Sequence, residues 1–333
     1  MLITEVYKMR FKEFVKLFGN VIERCPLAAA AVWSDLPVRN LESLQTSIEK
    51  FVDQLSSAGE SCIMNRWAML LQTKVKPLIL GMIHVKALPG SPLHKTKMAE
   101  IVSDAVTEAK IYQKHHVDGI IVENMHDRPY LLDKGMGPET ICAMTVICNE
   151  LRGRLPTTPM GVQILSGCNR EALAVALATD FDFIRAEGFI YSHIADEGLM
   201  NSCAGELLRY RSRIQANHIS VLTDIKEKHS SHAITSDLSV EQVARDAEFF
   251  LSDGVILTGT STGISADVEQ LKCVKDSISL PVLIGSGVTA KNLSLYSSAD
   301  ALIIGSFFKK EGKWYNEIDE ERVASVIAAR NRL

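Results

Sequence analysis

Pro281-Val-Leu-Ile-Gly-Ser-Gly-Val-Thr-Ala-Lys-Asn-Leu293 and, one unit later, Ala301-Leu-Ile-Ile-Gly-Ser-Phe-Phe-Lys309 decide the fold. Each is a short apolar run that breaks at glycine and serine before a segment of helical character. That order is expected of the last two strands of a parallel barrel, whose ends open into turns sized for a phosphate. Upstream, the same unit recurs. Apolar runs fall at Leu78–Ile83, Gly119–Glu123, Met160–Leu165, Phe183–Glu187, Ile219–Asp224 and Gly254–Thr258, and Val282–Ile284 and Ala301–Ile304 complete the series. Helical patterns alternate with them, at Met98–Lys114, Pro138–Arg152, Arg170–Ala178, Ala204–Ala216, Val240–Leu251, Ala266–Asp276, Ala290–Ser297 and Asp319–Arg330. Eight β-then-α units in about 250 residues predict an α/β protein built as a (β/α)8 TIM barrel. An open doubly wound sheet is the alternative, yet it more often carries a glycine-rich dinucleotide turn after its first strand. His84-Val-Lys-Ala-Leu-Pro-Gly-Ser-Pro92 is not such a turn.

The totals narrow the function. A chain of 333 residues, 47% hydrophobic, suffices for one large core or two small ones. Its 36 basic and 40 acidic residues give no electrostatic reason to expect a nucleic acid or a membrane surface as partner, which leaves a small molecule. No run of about 18 apolar residues suggests a membrane span. The seven cysteines form no C-x-x-C pair and read as small apolar residues of a reducing compartment, not as disulfides or a zinc site.

Residues 1–76 read as an N-terminal helical extension, and 77–333 as the barrel. Phe11, Phe14, Val15 and Phe18 share one helical face that stops at Gly19. Residues 20–76 carry helical periodicity without a chemical cluster. The basic residues of the first 24 suit a transit peptide, but Glu5, Glu13 and Glu23 weaken that reading. The expected compartment is the cytoplasm, with the mitochondrion as alternative; homo-oligomer formation is left open.

In barrels of this kind the reacting groups come from the C-terminal ends of the strands. Here those ends carry His84, Glu123 with Asn124, Gln163, Arg185 with Glu187, Asp224 with Lys226, Lys228 and His229, then Thr258-Gly259-Thr260, Gly285-Ser286-Gly287 and Gly305-Ser306. The glycine turns form a candidate phosphate cradle, because glycine lets backbone N–H groups approach an anion closely. The bland alternative is that they only make tight turns. Glu123, Glu187 and Asp224 are candidates for acid, base or metal ligand, set against ion pairs with Arg185, Lys226 or Lys228. Lys226 is considered for imine chemistry, although a counter-charge is the commoner role for such a lysine. His84 and His229, with Asp224 or Glu187, suggest a divalent metal, but no fixed ligand spacing supports one and the cofactor is left unassigned. Tyr130, Trp314 and Tyr315 are candidates to line or cover the pocket, with packing as the alternative.

Several of these stretches together resemble the BtpA family: Gly81-Met-Ile-His-Val-Lys-Ala-Leu-Pro-Gly-Ser-Pro92, Asp118-Gly-Ile-Ile-Val-Glu-Asn124, Phe183-Ile-Arg185, Leu207-Leu-Arg-Tyr-Arg211, Lys228-His229 and Pro281-Val-Leu-Ile-Gly-Ser-Gly-Val288. The resemblance spans about Leu78 to Arg330. It implies a TIM-type barrel similar to phosphate-binding barrels, and a cyanobacterial member tied to the accumulation of photosystem I proteins. The residues it carries over are His84, Pro89, Gly90, Glu123, Asn124, Arg185, Asp224, Lys228, His229, Gly285, Ser286 and Gly287. Leu165-Ser-Gly-Cys-Asn169 departs from the pattern, and only Asn169 suits the matching polar role. The family passes within a few residues from a short helix to the first strand, whereas about 55 residues intervene here, so 21–75 reads as an insertion.

Two functions follow as expectations. The first is an isomerase, epimerase or lyase acting on a small phosphorylated metabolite, a sugar phosphate or nucleotide-like compound. There Asp224 and Glu187 handle protons and His84, Lys228 or His229 polarises an oxygen. The second is a non-catalytic barrel that stabilises or assembles partner proteins.

Overall fold

Apolar residues occupy both faces of every long strand, which requires a sheet covered on both sides. A computed structural model of the chain describes residues 66–73, 77–259 and 263–333. The expected helix at 9–19 and most of the extension at 1–76, with its insertion at 21–75, lie outside the described residues.

Eight parallel strands close into a barrel: β1 (Leu78–His84), β2 (Gly119–Glu123), β3 (Met160–Gln163), β4 (Phe183–Ala186), β5 (Ser220–Ile225), β6 (Gly254–Leu257), β7 (Val282–Ile284) and β8 (Ala301–Ile304). Each neighbours the next in sequence, and β1 pairs with β8 to close the ring. Helices α2 (Met98–Lys114), α3 (Pro138–Arg154), α4 (Asn169–Ala178), α5 (Ala204–Arg213), α6 (Val240–Phe249), α7 (Val268–Ser277) and α8 (Glu320–Arg330) follow the strands in turn. Ser239, Asp267 and Asp319 cap α6, α7 and α8 by accepting hydrogen bonds from first-turn amides. The helix expected at Ala290–Ser297 is only a 3-10 turn, Leu293–Tyr296, and β8 runs into another, Ser306–Phe308.

The interior alternates strictly. Ile79 and Ile83 face the helices, while Leu78, Leu80 and Met82 join Ile121, Phe183 and Leu222 in a separate buried cluster along the barrel axis. The floor is closed by α1 (Arg66–Leu71), whose Trp67 is 1% exposed and lies 5.1 Å, ring to ring, from Phe183. Gly161 makes this possible: a Cβ there would fall 2.1 Å from the Phe183 ring. Asp182 holds α1 in place. Its carboxylate accepts from the Arg66 amide and guanidinium at 3.0 and 3.1 Å, and from Arg152 and the Met160 amide at 2.9 Å each.

At the opposite end a small sheet covers part of the mouth. His193–Ala195 and Gly198–Met200 form an antiparallel hairpin, and His193–Ala195 also pairs with Ser230–Ser231. The loop after β4 is thereby joined to the loop after β5.

Candidate functional site

Strand register places the first chemistry. His84 lies opposite Glu123, and Glu123 opposite Gln163, so three adjacent strands end in polar side chains at one level. The His84 Nδ1 is 3.1 Å from the Trp314 carbonyl, which can only accept, so Nδ1 carries the hydrogen and Nε2 presents a lone pair. That Nε2 is 3.5 Å from Glu123 Oε2. Burial, followed by the charge of Lys309, pushes the His84 pKa well below its ordinary value. Burial raises the Glu123 carboxyl, against the pull of Arg185 and Lys228. Burial thus shifts both groups toward their neutral forms.

Arg185 and Asp224 form a bidentate pair, Nε to Oδ2 at 2.8 Å and Nη2 to Oδ1 at 2.9 Å, with both side chains at most 4% exposed. Burial alone would lower the arginine, but Asp224 outweighs it and the pKa rises. Of the two readings open for Asp224, the ion pair is the one made.

Glu187 sits behind this pair. It accepts from Gln163 Nε2 and the Gly167 amide, both at 2.8 Å, and from Ser166 Oγ at 3.3 Å. Burial, then the nearby Glu227 and Asp224 charges, still raise its pKa well above the carboxylate range. Asn169 grips the Glu187 backbone on both sides, donating to its carbonyl at 2.6 Å and accepting from its amide at 3.2 Å. Glu227 is pushed up to about 8 by burial and the Asp224 charge, and its Oε2 lies 3.5 Å from His193 Nε2. Sequence reasoning missed Glu227 and His193, because neither ends an apolar run; only the adjacent Lys226 and Lys228 pointed to that loop.

A cavity of about 240 Å3 opens where these groups meet the glycine turns. His84, Glu123, Arg185 and Lys228 line it together with Gly285–Thr289 and Gly305–Phe307, and the glycine turns lie directly against the polar side chains: a Cβ at Gly305 would fall 2.9 Å from His84 Nε2 and one at Gly285 3.2 Å from Arg185 Nη2. The amides of Gly287, Val288, Ser306 and Phe307 have no hydrogen-bond acceptor among the described residues. Gly287 stands at φ 71°, and a Cβ there would fall 2.3 Å from the Ser265 backbone, so only glycine fits. The Ser286 hydroxyl is turned inward, accepting from the Gly259 amide at 2.6 Å and donating to the Ile264 carbonyl at 2.8 Å. Thr258 Oγ1 is buried without a partner among the described residues. Thr260 lies outside them.

The cavity therefore gathers His84, Glu123, Lys228, Gly285, Ser286, Gly287, Gly305 and Ser306. Glu187, Asp224, Thr258 and Gly259 stand behind its wall, and His229 is exposed at φ 57°. Lys226 is occupied elsewhere, its Nζ donating to the Thr235 carbonyl at 2.8 Å. Trp314 packs over His84 and His126 at the rim, with Arg128 5.0 Å from its ring and Tyr315 edge-on. Lys309, 1% exposed, anchors the β8 turn to both oxygens of Glu108 at 2.5 and 2.6 Å. No group of three or more His, Cys, Asp or Glu among the described residues is arranged to hold a metal ion. No helix among them is long and apolar enough to cross a membrane.

A family model described as the BtpA family matches residues 74–332. The chain belongs to the BtpA family. It is 47% identical over 262 residues to an uncharacterised mitochondrial protein of Caenorhabditis elegans, a match covering 78% of this chain and 94% of the worm protein. It is 32% identical over 253 residues to the photosystem I biogenesis protein BtpA of Synechocystis, covering 75% of this chain and 87% of that one. Among solved structures, an orotidine 5'-monophosphate decarboxylase of Methanocaldococcus jannaschii is similar with a TM-score of 0.48 and 16% identity, over 76% of this chain and 98% of that one. A second family model, OHCU decarboxylase, matches residues 7–77.

Proposed function

We propose that this BtpA-family chain is an enzyme that binds a small phosphorylated metabolite in the barrel mouth. The observation that carries the reading is the lining of the cavity. It includes the amides of Gly287, Val288, Ser306 and Phe307, unpaired among the described residues; N–H groups of this kind suit an anion of phosphate size. The same lining offers the Glu123 carboxyl, shifted by burial toward its protonated form, a lone pair at His84 Nε2 and an amine at Lys228. Such a lining fits isomerase, epimerase or lyase chemistry, with the phosphate as handle and protons moved by the side chains beside it. In this reading Asp224 holds Arg185 in place and is not itself the base. Glu187, 7% exposed behind the wall, supplies a second proton store.

The test is thermal unfolding with inorganic phosphate and a set of phosphorylated metabolites, comparing the native chain with Ser306→Asp. A carboxylate at Ser306 repels the anion without altering the backbone. The expected result is stabilisation of the native chain that the variant lacks. Failure of every phosphorylated compound to raise the native midpoint sinks the proposal.

One observation favours a second reading, a partner-binding role. Phe249, Phe250 and Leu251 are 80%, 48% and 68% exposed at the end of α6, away from the mouth. The name of the Synechocystis relative refers to photosystem I biogenesis, and an apolar surface patch of this kind is where a partner would dock. Replacing Phe249 and Phe250 by serine would then abolish association while leaving phosphate binding intact.

We further propose that the N-terminal extension is an addition to the barrel. The two family matches meet at residues 74–77, which supports a junction there. The worm relative's name supports the mitochondrion as the alternative to a cytoplasmic location.

A further inference from the structure

The loop after β5 distributes three consecutive charged side chains in three directions. Lys226, at φ 46°, turns outward to the Thr235 carbonyl. Glu227 turns under the hairpin toward His193. Lys228 turns into the cavity, between Arg185 and Glu123. Among the described residues the Lys228 amine has no carboxylate within salt-bridge distance and no hydrogen-bond acceptor, whereas Arg185, which lines the same cavity, is paired. Arg185 is pinned to Asp224, and burial raises the Glu123 carboxyl toward its protonated form. A buried lysine without a paired carboxylate, sharing a cavity with a guanidinium, is held in the neutral, nucleophilic form more than a surface lysine is. Burial and then Arg185 accordingly lower the Lys228 pKa.

We propose that Lys228 forms an imine with its substrate, and that the substrate is a phosphorylated aldehyde or ketone. This rests on the phosphate reading of the glycine turns. Nζ attacks the carbonyl carbon, a C–N bond forms, and the π pair moves to oxygen. A proton passes from nitrogen to that oxygen to give the neutral carbinolamine. Glu123 then donates its proton to the hydroxyl, which leaves as water while the nitrogen lone pair forms the C=N bond. The products are one protonated imine, one water and the Glu123 carboxylate. The cation is stabilised by that carboxylate, and it withdraws electrons from the adjacent carbon, the step that isomerase and lyase chemistry requires. His84 Nε2, 3.5 Å from Glu123, is placed to take a proton from that carbon.

The full-length protein is incubated with glyceraldehyde 3-phosphate or dihydroxyacetone phosphate, each beside its unphosphorylated counterpart, then reduced with borohydride and mapped by peptide mass. A reduced imine leaves the compound on the lysine as a secondary amine. The expected result is labelling at Lys228 about tenfold above any other lysine, suppressed by inorganic phosphate and absent in Lys228→Arg. Glu123→Gln is expected to slow labelling while keeping the phosphate-induced stabilisation. Thermal melts with phosphate verify that both variants are folded. Stabilisation by phosphate without an adduct on Lys228 from any of the four compounds overturns the imine and leaves the phosphate site standing. Equal labelling by phosphorylated and unphosphorylated compounds keeps the imine and removes the phosphate site.

Discussion

Replacing Asp224 by Asn tests whether the barrel mouth depends on a buried charge pair. Asp224 accepts both hydrogen bonds from Arg185, at 2.8 and 2.9 Å, with side-chain exposures of 1% and 4%. Asparagine keeps one acceptor oxygen but turns an NH2 group toward the guanidinium and removes the negative charge. The guanidinium cannot shed its proton, so the variant buries an uncompensated cation. Removing one partner of such a pair costs about 3–5 kcal/mol. Against a total stability of about 5–15 kcal/mol this is a large loss. For a barrel of this length it corresponds to about 10 °C in melting temperature. Urea unfolding by circular dichroism gives the free energy directly. Arg185→Met combined with Asp224→Leu restores much of the loss, because burying neither charge avoids desolvating both. A cost below about 1 kcal/mol for Asp224→Asn, the level of an exposed pair, refutes the reasoning. Released from Asp224, Arg185 also favours the Glu123 carboxylate, so the variant should label more slowly at Lys228 wherever it remains folded.

Two further outcomes follow. Glu227 is raised from 4.5 to about 8, so its contribution is fully present below about pH 4.5 and is lost as pH rises through about 8. Glu227→Gln, which does not titrate, should therefore gain stability relative to the native chain across that window; parallel stability–pH curves in urea count against the buried acid. Trp67→Ala empties the barrel floor against Phe183 and should cost about 3–5 kcal/mol, read by the same unfolding; a cost near zero means the floor is closed by something else.

The barrel was legible because its strands are short, apolar and regularly spaced. The observed β2, β7 and β8 coincide with the apolar runs that predicted them, since Asp118, Pro281 and Asp300 stand just before them and Asn124, Gly285 and Gly305 just after. Ala290–Ser297 misled because a helical pattern of eight residues is also long enough for a 3-10 turn, and Thr289 with Asn292 holds the chain in a tight side-chain turn there. The hairpin at His193–Met200 was invisible: its two strands are three residues each and carry no sustained alternation. In the site, strand-end logic found His84, Glu123, Arg185, Asp224 and Lys228, but not how charge is divided among them. Which lysine enters the cavity depends on the left-handed Lys226, and which carboxylate takes the guanidinium is settled by the Arg185–Asp224 pair. Neither is written in spacing.

The three-stranded sheet at the mouth has an evolutionary corollary. Ile194 and Ala195, from the loop after β4, pair with Ser231 and Ser230, from the loop after β5, so each segment completes the other's hydrogen bonding. Glu187 lies just before the first segment, and Glu227 and Lys228 just before the second. Swapping either loop alone would orphan a strand edge and separate Glu227 from His193. The two behave as a single cassette, to be inherited, lengthened or transplanted only together.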